Sequence, residues 1–142
     1  MTIKNILTIL IKMPKRIFLI DSIGAFMTAF LLFTVLKTWH THIGMPSKTL
    51  SILSCIALGF SIYSALCFAF FNTKKWKLFL KIIATSNLLY CCFTLGLLIF
   101  NFTKLTAIGL IYFGGEIIII CLLAFLEFST LKTIKRNKII NH

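Results

Sequence analysis

Acidic side chains are nearly missing from this sequence. Of its 142 residues, three are Asp or Glu and fifteen are Lys or Arg, giving a formal net charge of +12. Only 13% of residues are charged, whereas a water-soluble domain carries about a quarter. Proline is scarce too, with two residues. Cysteine is absent from the polar connections: Cys55, Cys67, Cys91, Cys92 and Cys121 all lie in apolar stretches. That placement excludes an exposed CxxC redox pair and makes each cysteine a small packing residue. Cys91 and Cys92 are adjacent on a helix and diverge too far to join in an ordinary disulfide. No phosphate-binding glycine loop, nucleophile–base constellation, internal repeat or low-complexity tract is present.

What fills the sequence is apolar surface: 59% of residues, with a mean hydropathy of +1.01. Four stretches, 17–36, 50–71, 78–100 and 105–128, reach the roughly 20 residues needed to cross about 30 Å of hydrocarbon. Backbone groups in lipid must be satisfied within the segment, so these stretches are predicted helices. No alternating pattern suggests a barrel. The expected fold is an all-α, four-helix transmembrane up-down bundle with cytoplasmic termini. Residues 1–16 form an amphipathic basic N-terminal segment, 17–128 the bundle and 129–142 a basic cytoplasmic tail. Pro14 closes the amphipathic segment. The first stretch lacks a clear small-residue cleavage site and is expected to be retained as a helix.

The basic residues mark an orientation and not a nucleic-acid surface. Eleven flank one side: Lys4, Lys12, Lys15, Arg16, then Lys74, Lys75, Lys77, then Lys132, Lys135, Arg136 and Lys138. Three, Lys37, Lys48 and Lys104, flank the other. Positive charge collects on the cytoplasmic side, which places both termini and the middle connection there. Trp39 and Trp76 suit the two interfaces as aromatic anchors. Anionic lipids would attract the tail. The preference for Lys over Arg, with abundant Ile, Phe and Asn, suggests a bacterial inner-membrane protein of an AT-rich genome. His40 and His42 form an HxH in the outer connection and His142 ends the chain, too few ligands for a zinc site. No metal or cofactor is expected.

Against this background the three acids carry the functional signal. Glu116 stands in the middle of an otherwise apolar span, where a charge costs roughly 2.5–3.5 kcal/mol on insertion scales. Helical spacing puts Asn87, Tyr90, Cys91 and Thr94 on one face of the third span. It puts Tyr112, Glu116, Ile120 and Glu127 near one stripe of the fourth, with Gly114 and Gly115 beside Glu116. Asp21, Gly24, Ala25 and Thr28 align in the first, and Ser51, Cys55, Gly59, Tyr63 and Cys67 in the second. Tyr90 and Glu116 each lie twelve residues, about 18 Å, from the inner boundary of their spans. Glu116, Asn87 and Tyr90 are therefore the expected buried polar site. Asp21, Lys81 and Glu127 are the expected ion-pair cluster nearer the cytoplasm.

Several segments resemble a family of small bacterial four-span integral membrane proteins without an assigned activity. They are Ile20-Asp21-Ser22-Ile23-Gly24-Ala25, Gly44-Met45-Pro46, Tyr63-Ser64-Ala65-Leu66-Cys67, Ser86-Asn87-Leu88-Leu89-Tyr90-Cys91 and Leu105-Thr106-Ala107-Ile108-Gly109 with Tyr112 and Glu116. The resemblance adds emphasis to Asp21, Asn87, Tyr90 and Glu116 and no chemistry. A four-span chain with a membrane-embedded glutamate is also similar in plan to the small multidrug resistance transporters, although their glutamate lies in the first span. Three functions follow as expectations. The leading one is an accessory or structural membrane subunit. The alternative is a proton-coupled small transporter using Glu116. The third is an intramembrane enzyme acting on lipid or quinone. The expected partners are the bilayer and a second copy or another membrane protein.

Overall fold

The computed structural model describes residues 5, 8, 9, 12–70 and 75–140, with side chains as far as residue 136. Residues 1–4, 6, 7, 10 and 11 of the amphipathic segment, with Lys74 and His142, lie outside the described residues, as does the side chain of Lys138. The described chain is all-helical and carries no strand. We name α1 Lys15–Leu31, α2 His40–Ile43, α3 Ser47–Ala69, α4 Trp76–Phe100 and α5 Ala107–Ile140. Four of these, with α1 extended to Leu36, are long and apolar enough to cross a membrane. Their outward faces bear large apolar side chains such as Phe26, Phe33, Ile62, Leu89, Ile111 and Phe125, all exposed. In water such a surface would drive association, whereas lipid solvates it.

Each helix begins or ends where local chemistry dictates. Pro14 precedes α1, and Pro46 precedes α3 with φ −58° and ψ 137°, positions where a missing N–H costs nothing. Residues Leu32–Leu36 continue α1 as a π-wound turn. Gly44 closes α2 at φ +80°, a left-handed conformation that other residues resist. The connection 37–49 is thus not a plain loop, since α2 sits within it. The α2 turn docks on the start of α5. Thr106 donates its backbone N–H to the Ile43 carbonyl at 3.0 Å and its hydroxyl to the His42 carbonyl at 2.7 Å. Gly109 admits this contact, because a Cβ there would lie 2.5 Å from the Ile43 carbonyl oxygen. The last helix runs 34 residues, about 51 Å, so its basic end reaches well past a 30 Å hydrocarbon core.

The helices associate as two close pairs. Between α1 and α3, the Ser22 and Ser61 hydroxyls each donate to the other's backbone carbonyl, at 3.0 and 2.9 Å. Ser54 donates to the Ala29 carbonyl at 2.9 Å and Ser64 to the Phe18 carbonyl at 2.8 Å. Rising numbers on α1 meet falling numbers on α3, so the two run antiparallel. Small side chains let the backbones come close, and each hydroxyl is satisfied without water. This serine face replaces the expected stripe through Ser51, Cys55 and Gly59. Cys55 is exposed, Ser51 bonds its own helix at Ser47, and Gly59 faces open space. The other close pair is α4 with α5, while α3 and α4 touch sparingly despite their short connection.

Two apolar clusters hold the ends. Leu32, Leu36, Ile43, Met45, Leu50, Leu53, Leu98 and Phe113 pack at one end, and Ile17, Phe18, Leu80 and Ile83 at the other. The polar side chains lie between them.

Candidate functional site

The buried face of α4 runs through Leu80, Ala84, Asn87, Tyr90, Cys91, Thr94 and Leu98 at steps of three and four. Its apolar members anchor the ends, and Asn87 and Tyr90 occupy the middle. The Tyr90 hydroxyl donates to Glu116 Oε1 at 2.9 Å, and its ring meets Phe60 edge-on at 6.1 Å. This is the contact expected from matching depths. Asn87 does otherwise. Its amide nitrogen donates to Asp21 Oδ1 at 2.8 Å and, in a longer contact, to Glu127 Oε2 at 3.5 Å. It therefore joins α1 to α4 and α5 and makes no bond to Glu116.

The expected grouping of acids and lysine needs correction. Asp21 and Glu127 do meet, through Asn87, but Lys81 is exposed and takes no part. Its stem leaves the buried face of α4, since Leu80, Ile83 and Ala84 occupy that face. A long lysine chain on the outer face can carry its ammonium to the headgroups, which avoids burying the charge. All three acids are instead deeply buried, at 3% exposure for Asp21, 7% for Glu116 and 0% for Glu127. Each has one oxygen bonded and one, Asp21 Oδ2, Glu116 Oε2 and Glu127 Oε1, with no partner. The Ser64 hydroxyl, beside Asp21, donates to the Phe18 carbonyl. Leaving a buried polar atom unpaired costs about 1–3 kcal/mol, more for a charged group.

A cavity of about 390 Å³ lies where the two helix pairs meet. Asp21, Gly24, Ala25 and Thr28 of α1, which share a face as expected, form one wall. Ala57 and Phe60 of α3 and Asn87 and Tyr90 of α4 form the second. Tyr112, Gly115, Glu116, Ile119 and Leu123 of α5 form the third. Two of its wall residues, Met27 and Ile119, are more than half exposed, so the cavity reaches the outer surface between α1 and α5. Asp21 and Glu116, assigned by sequence to separate clusters, therefore line one space. The titratable neighbours around Glu116 are Tyr90 and Cys91 from α4, Tyr112 from its own helix and Asp21 across the cavity from α1. The α3 wall contributes none.

The chain matches no family model, no curated protein and no solved structure.

The remaining candidates are placed simply. His40 Nδ1 lies 3.0 Å from the Lys37 carbonyl and His42 stacks edge-on against Trp39. No group of three metal-ligating side chains occurs among the described residues. The five cysteines are free, and the Cys91 and Cys121 sulfurs lie 3.8 Å apart across the α4–α5 contact. That proximity was hidden in the sequence because Cys121 stands five residues from Glu116 and not on its stripe.

Proposed function

We propose that this protein is a proton-coupled carrier of a small, largely apolar molecule, with the cavity as binding site and Glu116 as the titrating group. The observation behind this reading is the cavity's composition: mostly apolar walls, with two buried carboxyl residues, Asp21 and Glu116, in its lining. A structural hydrogen bond between helices would use Glu116 and Tyr90 and leave no space beside them. The space is of the size in which small ligands bind, about 300–1,000 Å³. A carboxyl held by one donor at such a site can exchange its proton for a ligand, because the cost of burying it charged falls once a partner arrives.

The same proposal sets the chain in a cell membrane as an up-down bundle, with both termini and the α3–α4 connection in the cytoplasm. The distribution of Lys and Arg supports that orientation, and the composition supports a bacterial inner membrane. Residues 17–128 form the bundle, and the extended basic end of α5 meets anionic lipids.

The test uses purified full-length protein in lipid vesicles holding a pH gradient, with a pH-sensitive dye inside. Small amphipathic probes of positive, zero and negative charge are added in turn. A carrier collapses the gradient with at least one probe, and Glu116→Gln abolishes that response while remaining monodisperse. A response unchanged in Glu116→Gln, or none with any probe, defeats the proposal.

An accessory subunit is the second reading, favoured by the Asn87 contact and the serine bonds, which act as glue between helices. It expects a different protein in stoichiometric amount when the complex is weighed from native lipid nanodiscs. An intramembrane enzyme stands third. It gains from Asp21 and Glu116 lining one space, the arrangement that acid–base chemistry needs.

A further inference from the structure

We propose that the cavity holds one long, straight hydrocarbon chain, the tail of a single-tailed lipid, laid lengthwise between α1 and α5 with its head outside. This names the ligand class for the carrier site and rests on that reading. Shape comes first. The lining runs on α1 from Asp21 to Leu31 and on α5 from Tyr112 to Leu123, chiefly at steps of three and four. Each stripe covers about three turns, or about 15 Å along its helix. Helices α3 and α4 add about one turn apiece, at Ala57 and Phe60 and at Asn87 and Tyr90. The space is therefore a slot parallel to the helices and not a rounded chamber. Its volume of about 390 Å³, spread over that length, suits a flexible chain better than a rigid ring system. Met27 and Ile119, both more than half exposed, mark its side opening.

The walls select the occupant. The polar groups of the lining spend their bonds on one another: Tyr90 donates to Glu116, and Asn87 to Asp21. The unpartnered oxygens Asp21 Oδ2 and Glu116 Oε2 are fully enclosed and do not face the slot. The surface that the slot offers is overwhelmingly apolar. A buried water needs about two to four polar partners, which this surface does not supply. A charged group would give up its hydration for nothing in return. Hydrocarbon gains dispersion contacts with walls that otherwise lack atoms on that side. It is also the medium that the exposed faces of α1 and α5 meet. A chain enters from the bilayer between Met27 and Ile119 without crossing a polar layer, while its head stays outside.

The probes are a long-chain fatty acid and a lysophospholipid, each with a photoreactive diazirine at mid-chain. Full-length protein in phosphatidylcholine vesicles is irradiated with each, and the adducts are mapped by mass spectrometry. Ala57 is the diagnostic position, because it is buried and lines the slot, whereas Ile111 and Phe125 face outward and report the bulk lipid. Adducts at Ala57 and Phe60 are expected to saturate, to be competed by unlabelled fatty acid of the same length and to resist an equal amount of cholesterol. Adducts at Ile111 and Phe125 should rise in proportion to the probe. Inner adducts from both probes show that the chain alone is recognised; from one probe, they identify its head as the source, and either result upholds the site. Gly115→Phe should abolish the inner adducts by filling the slot and spare the outer ones, which report that the variant is inserted and folded. A Cβ at Gly115 meets no atom within 4 Å, so its first carbon has room.

Adducts confined to the outer faces overturn the inference. So do inner adducts that never saturate, that cholesterol removes equally, or that persist in Gly115→Phe. The two proposals fail separately. Saturable inner adducts in a protein that leaves the vesicle gradient intact with every probe uphold the chain site and defeat the carrier. A gradient collapsed by compact probes, with no inner adduct from either chain, upholds the carrier and defeats the chain.

Discussion

At the scale of single residues, Asn87 has the least replaceable position. Its amide carries two N–H bonds and faces two carboxyls from two different helices. Leucine has nearly the same volume and no donor. Asn87→Leu should therefore lower stability by about 1–3 kcal/mol, the cost of stranding buried acceptors. Tyr90→Phe strands only one oxygen of Glu116 and should cost about 0.6–1.7 kcal/mol, as interhelical bonds in membranes do. Unfolding of each variant in mixed micelles, followed by circular dichroism, gives the comparison. A smaller loss for Asn87→Leu would mean that Asp21 and Glu127 find another partner in the unsubstituted protein. The Tyr90–Glu116 bond was legible in the sequence because both residues sit twelve positions from the inner boundary on spans joined by a short connection. The partner of Asn87 was not. Asp21 is 66 positions away, and helical rise sets depth without saying which helix lies opposite.

At the scale of elements, the four long helices were legible from apolar length, and their ends shift by a few residues at most places. The choice of face was not. On α3, the series through Ser51 and Cys55 and the series through Ser54 and Ser61 both repeat at helical spacing, and polarity alone cannot rank them. Backbone approach decides, because serine places its hydroxyl within reach of a neighbour's carbonyl only where the helices nearly touch. The α2 turn was equally hidden, being four residues long and held by Thr106 from far along the chain. Gly44 is the test of that turn. Its φ of +80° costs another residue about 1–2 kcal/mol, and a Cβ would also strike the Lys104 carbonyl. Gly44→Ala should lose at least that much stability. Gly59→Ala, where a Cβ meets nothing within 4 Å, should be neutral or gain up to about 1 kcal/mol from helix propensity. Equal losses at both glycines would show that the α2 contact contributes nothing.

At the scale of the molecule, the cavity lies between pairs and not within one. Serine bonds bind α1 to α3, and broad packing binds α4 to α5, whereas α1 meets α5 across few contacts. Bistable motion follows weak seams, so the pairs should move as units when a ligand enters or leaves. Pair membership could not be read from the sequence, which makes α3 and α4 neighbours by their short connection although their contact is slight. Two thiol locks separate the possibilities. Cys91 and Cys121, with sulfurs 3.8 Å apart, join α4 to α5 within one pair. Oxidising them by a lipid-soluble reagent should keep the fragments on either side of Lys104 linked after trypsin. It should leave the probe-driven collapse of the vesicle gradient intact. Gly24→Cys with Leu123→Cys, in a background where Cys91 and Cys121 are alanine, spans the seam. A Cβ at Gly24 would lie 3.8 Å from Leu123 Cδ1, so the two positions face each other across the seam. Oxidation of this second pair should stop the collapse, and reduction should restore it. If the seam lock is tolerated, the cavity fills and empties without the pairs parting. If the lock within α4–α5 is the one that blocks, the moving boundary lies inside that pair and not between α1 and α5.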